Sequence, residues 1–113
     1  WDVLWWAFGL KQMPPWRLKS LLAQDRAPIL LDVRTPMEQK LFHIPGAQAY
    51  SDDLARSLES GDRPVVVICM SGHRSPPMAF SLDRELDRPV YNLTGGMLAW
   101  LIFFGPTESG PLE

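Results

Sequence analysis

The run Pro64-Val65-Val66-Val67-Ile68-Cys69 constrains the fold more than any other stretch of the chain. β-Branched residues in unbroken succession, with no polar alternation, suit a strand covered on both faces, and such strands occupy the middle of parallel sheets. A few residues later Ser75-Pro76 offers an N-cap residue followed by proline at the first helical position. A helix is predicted from there to about Leu86, with Met78, Leu82 and Leu86 aligned along one stripe.

The flanking sequence repeats this strand-then-helix alternation. Trp16 to Gln24 places Leu18, Leu21 and Leu22 at helical spacing, and Ile29-Leu30-Leu31 reads as a buried strand ending at Asp32 and Val33. Thr35-Pro36-Met37-Glu38 is a capping box with proline at the first position, so a helix starts there. His43-Ile44-Pro45-Gly46 is turn chemistry, followed by a short strand over Ala47 to Tyr50. Ser51-Asp52-Asp53 opens a helix that presents Leu54 and Leu58 and closes at Gly61-Asp62. Val90-Tyr91-Asn92 is a last strand, Thr94-Gly95-Gly96 a turn, and Met97 to Phe104 an apolar final helix. Alternation of this kind predicts an α/β fold whose central, mostly parallel sheet is flanked by helices on both faces. With 113 residues, 46% of them apolar, the chain has material for one compact domain. We place it over residues 15–105, between an apolar Trp-rich segment (1–14) and a tail (106–113).

Cys69 stands at the carboxyl end of the strongest strand, the edge where parallel α/β sheets bind ligands. The loop Met70-Ser71-Gly72-His73-Arg74 offers successive backbone N–H groups, a glycine, two side chains able to carry positive charge and a helix start just beyond. All of these favour an anion, and all favour a thiolate, the nucleophilic form of cysteine. The competing reading is a buried thiol that packs as a small hydrophobe. Cys69 is the one cysteine in the chain, so it has no internal disulfide partner and no second thiol to resolve it. Its sulfur answers to an outside molecule or to none.

A formal net charge of −2 without a run of Lys or Arg argues against nucleic acid as a partner. His43 has no cluster of further ligands around it in sequence and reads as a hydrogen bonder that fixes its turn. No metal or cofactor is expected. The first ten residues are apolar at eight positions, Trp1, Trp5, Trp6 and Phe8 among them, yet far short of the roughly 20 that a membrane span requires. This segment could be the cut end of something longer. It is expected to cover the apolar run Leu101 to Phe104, the alternatives being a dimer contact or a membrane surface. The expected location is cytoplasmic, with membrane association left open.

Four stretches, in order, carry a resemblance: Ile29 to Pro36 with Glu38, His43-Ile44-Pro45-Gly46-Ala47, Val65 to Ser75, and Val90 to Met97 with Ala99-Trp100. Together they resemble the ordered signatures of the rhodanese homology domain. The resemblance implies a single-domain thiosulfate sulfurtransferase with Cys69 as catalytic residue and Cys69 to Arg74 as its active-site loop. It also implies a structural ion pair between Asp32 and Arg34, which fall where the family keeps one. Related phosphatases of the dual-specificity type have a seven-residue loop from Cys to Arg; the six-residue loop here is the sulfurtransferase form. Thiosulfate or a persulfide is therefore the expected donor and a thiol or cyanide the acceptor, with an acceptor protein possible. His73 either tunes recognition of the donor's charge or points to water. Gly95-Gly96 and Trp100 are read as turn geometry and packing. The rivals are a non-catalytic binding or regulatory module, against which the presence of Cys69 weighs, and a phosphatase or arsenate reductase, against which the loop length weighs. The chain departs from the family pattern at Phe42, where glycine is usual, at Pro76-Pro77, and at Leu101-Ile102-Phe103-Phe104, where a polar residue is common after Trp100.

Overall fold

The computed structural model describes residues 11–24, 27–58, 61, 63–70, 75–86, 88–103 and 105–110. Its elements are β1 (Lys11–Met13), α1 (Pro15–Leu22), β2 (Ile29–Asp32), α2 (Pro36–Leu41), β3 (Gln48–Ala49), α3 (Asp52–Ser57), β4 (Val65–Ile68), α4 (Ser75–Glu85), β5 (Val90–Leu93) and α5 (Gly96–Ile102). The strands form one sheet in the order β1-β5-β4-β2-β3, and every pairing is parallel.

β4 lies at the centre, and Val65, Val66, Val67 and Ile68 are fully buried because helices cover both faces. Strand alternation sends Val66 and Ile68 to one side, where Leu18 of α1 and Met97 and Trp100 of α5 pack, together with Leu30, Ile44 and Leu93. Val65 and Val67 point to the other side and meet Leu58 beyond α3 and Ala79, Leu82 and Leu86 of the α4 region. Each Val, Leu, Ile or Met side chain among them, removed from water, contributes about 1.5–3 kcal/mol. The two apolar layers account for the position of β4.

Local signals set the helix starts. Thr35 Oγ1 accepts from the Glu38 amide at 3.3 Å while the Thr35 amide donates to Glu38 Oε1 at 3.1 Å, a reciprocal cap with Pro36 at the first position of α2. Helix α4 already includes Ser75, one residue before the predicted start, and α3 stops at Ser57, well before Gly61. β5 extends to Leu93, and α5 begins at Gly96.

Two features have no counterpart in the sequence reading. β1 adds an edge strand beside β5, with Lys11, Gln12 and Met13 in register with Tyr91, Asn92 and Leu93. Buried Asn92 secures it by donating to Gln12 Oε1 at 2.9 Å, an oxygen that also accepts from Thr94. The second is a strap over residues 105–110. Glu108 forms an antiparallel bridge with His43, their amides and carbonyls exchanging bonds of 2.8 and 2.9 Å. Trp100 Nε1 donates to the Pro106 carbonyl, and Gly110 N donates to the Lys40 carbonyl.

Candidate active site at the carboxyl end of β4

Cys69 follows the last residue of β4 and is fully buried. Ile68 is in register with Asp32, and its carbonyl accepts from the Val33 amide at 3.0 Å. The thiol therefore emerges at the carboxyl edge of the sheet, on the strand flanked by β2 and β5.

Its backbone is held from the far side by α5. Met97 N donates to the Cys69 carbonyl at 2.8 Å, and Leu98 N donates to the Met70 carbonyl at 2.9 Å. First-turn amides have no partner within their own helix, so α5 spends two of them on the start of the loop. The approach requires glycine. Gly95 and Gly96 have φ of 75° and 61°, in the left-handed region, and a Cβ on Gly96 would strike the Cys69 carbonyl and lie 2.9 Å from the carbonyl carbon of Met70. The double glycine, read from sequence as turn geometry, is also the contact that positions Cys69. A glycine pair just after a strand signals the turn; the contact itself depends on where the chain returns.

Asp32 and Arg34 face one another with side chains entirely removed from solvent. Arg34 Nε donates to both carboxylate oxygens at 3.0 and 3.1 Å, and Nη2 donates to Oδ2 at 2.8 Å. The Arg34 amide also donates to Asp32 Oδ1, and Gln39 Nε2 donates to the carbonyls of both residues. Through these bonds the pair ties the end of β2 to α2, with Arg34 Nη1 left buried and without a hydrogen-bond partner among the described residues.

Arg34 also explains how phenylalanine stands at position 42. Phe42 has φ of −165°, extended backbone open to any residue, so nothing there demands glycine. Its carbonyl accepts from Arg34 Nη2 at 2.6 Å, and the guanidinium carbon lies 5.2 Å from its ring centroid. Buried His43 has Nδ1 2.9 Å from the Gln39 carbonyl and Nε2 3.1 Å from Glu108 Oε1, so its ring fixes both the turn and the strap.

Met70 is half-buried against the α1–α5 side of the core. Ser71, Gly72, His73 and Arg74 lie outside the described residues, as do Trp1, Trp5, Trp6 and Phe8. A cavity of about 390 Å³, lined by Leu22, Ala27, Pro28, Leu30, Pro45 and Arg63 among others, sits at the amino ends of β2, β3 and β4, the opposite edge from Cys69.

A parallel sheet with a buried cysteine at the carboxyl end of its central strand defines the class of α/β site. The family profile described as a rhodanese-like domain matches residues 15–102, and the chain belongs to that family. It is 31% identical over 94 residues to thiosulfate sulfurtransferase GlpE of Pseudomonas fluorescens, covering 80% of this chain and 84% of GlpE. Over 91 residues it is 33% identical to "Probable adenylyltransferase/sulfurtransferase MoeZ" of Mycobacterium tuberculosis, covering 76% of this chain and 23% of MoeZ. Among solved structures, a thiosulfate sulfurtransferase from Pseudomonas aeruginosa superposes with a TM-score of 0.78 at 27% identity, covering 89% of this chain and 20% of that one. The chain thus spans most of GlpE and about a fifth of the two longer proteins.

Proposed function

We propose that this chain is a sulfurtransferase that carries a sulfane sulfur on Cys69. The observation that carries the reading is the placement of Cys69: buried, at the carboxyl end of the central strand, its carbonyl held by the first turn of α5. The sulfurtransferase names of GlpE and MoeZ support it.

The Cys69 thiolate attacks the outer sulfur of thiosulfate, a new S–S bond forms, and the old one breaks with its electron pair leaving on sulfite. Backbone N–H groups of the Cys69–Arg74 loop and the Arg74 guanidinium stabilise the persulfide anion that remains. An acceptor thiolate, or cyanide, then attacks the outer sulfur and expels Cys69 as the thiolate. With a persulfide donor the first leaving group is a thiolate instead of sulfite. Asp32 and Arg34 take no part in bond making and hold the end of β2 in place.

Intact-mass measurement after thiosulfate treatment tests this. One added sulfur is expected on the native chain, removed by cyanide, and none on Cys69→Ala. A chain that is never persulfidated and hydrolyses aryl phosphates efficiently would replace this reading with a phosphatase.

A further inference from the structure

Seven large apolar side chains are exposed among the described residues, and five of them gather on one face. Trp16 lies on α1, Leu98, Leu101 and Ile102 on α5, and Phe103 caps α5. Ile102 is 70% exposed and Trp16 59%. The Trp16 and Phe103 rings meet edge to face with centroids 5.1 Å apart, which joins the two helices into one continuous surface. Singly exposed apolar residues need no explanation, but a contiguous patch with aromatic members marks a contact surface.

Charge identifies the partner. Exposed Arg17 and Lys19 stand on α1, with Lys19 one turn from Trp16 on the same helix face. No acidic residue occurs from Lys11 to Gln24, and no charged residue at all from Pro89 to Thr107, although the chain as a whole carries −2. Cover by residues 1–10 would answer the apolar surface but would bring a single acidic side chain, Asp2, to two cations. A two-fold contact would set this face against its own copy, and neither α1 nor α5 carries an acidic residue to meet Arg17 and Lys19. A negatively charged lipid surface answers both features at once.

We propose that the α1–α5 face docks on an anionic phospholipid bilayer, Trp16, Leu101, Ile102 and Phe103 entering the boundary between headgroups and acyl chains and Arg17 and Lys19 lying over acidic headgroups. The contact is peripheral: no helix among the described residues is long and apolar enough to cross a membrane. The inference does not depend on the sulfur chemistry.

The full chain is sedimented with phosphatidylglycerol/phosphatidylcholine vesicles and with phosphatidylcholine alone. Binding is expected to the anionic vesicles and to weaken as salt is raised. Arg17→Ala/Lys19→Ala should lower the partition coefficient about 30-fold, the effect of two cations near an anionic surface. Ile102→Ser should lower it roughly tenfold or more, and circular dichroism and persulfidation by thiosulfate should stay native in both variants. Three outcomes overturn the proposal. One is no vesicle binding. Another is binding that survives both variants and is lost only when residues 1–10 are deleted. The third is a dimer that these substitutions dissociate without any lipid association.

Discussion

The Met97 amide and the Cys69 carbonyl are joined by a 2.8 Å hydrogen bond, so the chain around the candidate nucleophile takes its direction partly from a helix that forms later in the sequence. The neighbouring bond from Leu98 to Met70 extends the same hold by one residue. Both bonds depend on a left-handed glycine at position 96.

Gly96→Ala is expected to cost about 1–3 kcal/mol of stability from the positive φ alone. The new Cβ also presses on the Cys69 and Met70 backbone, so sulfur transfer should fall by roughly tenfold or more even where the variant is fully folded. Chemical denaturation and single-turnover persulfidation, measured together, separate the two effects. A variant that is destabilised yet transfers sulfur at the native rate would detach Gly96 from the site.

Removing the carboxylate of Asp32 leaves the Arg34 charge buried without its partner. Asp32→Ala should cost about 3–5 kcal/mol, and Asp32→Ala/Arg34→Met should recover a large part of that loss. Urea unfolding of the two variants against the native chain checks it. Persulfidation per folded molecule should change little in the double variant, because neither group is assigned a chemical step.

Arg74 differs from the other loop side chains in being charged at any working pH. Its planar fork suits the sulfonate oxygens of thiosulfate better than a lysine ammonium does. Arg74→Ala should lower thiosulfate turnover about 100-fold or more and Arg74→Lys less, if each charge-assisted bond to the anion contributes the usual amount. Transfer from an uncharged organic persulfide donor should suffer less in both variants. Equal losses with the two donors would show that Arg74 does not recognise the anionic part.

Glu108→Ala removes the carboxylate from His43 Nε2 and leaves the backbone bridge between the two residues. A loss of about 1 kcal/mol is expected. The Glu108 and Gly110 amides should exchange with deuterium faster while the β4 amides do not, since the strap can open without disturbing the sheet.

What was legible in the sequence is what local chemistry controls. The β-branched composition of the β4 run argues for a covered strand, and Thr35 with Glu38 satisfies its helix end through residues three apart. The place of Cys69 at the end of β4 follows from that strand alone. β1 was not legible because Lys-Gln-Met has neither strand composition nor period; its pairing comes from β5, and it lies at the sheet edge. The strap over residues 105–110 is held by bonds to Lys40, Leu41, His43 and Trp100, none near it in sequence except Trp100. Phe42 looked like a departure from the family pattern, and the compensating guanidinium above its ring is visible only in three dimensions.

Because His43 and Glu108 are 65 residues apart, the pairing that closes this side of the molecule cannot form until the chain has left the ribosome as far as Glu108. α2 and β2 can assemble earlier from neighbouring sequence, but His43 must wait with its ring short of one partner. During synthesis the nascent chain therefore passes through a stage in which the sheet is largely translated and the seam at His43 is still open, the stage at which a chaperone or protease would find it.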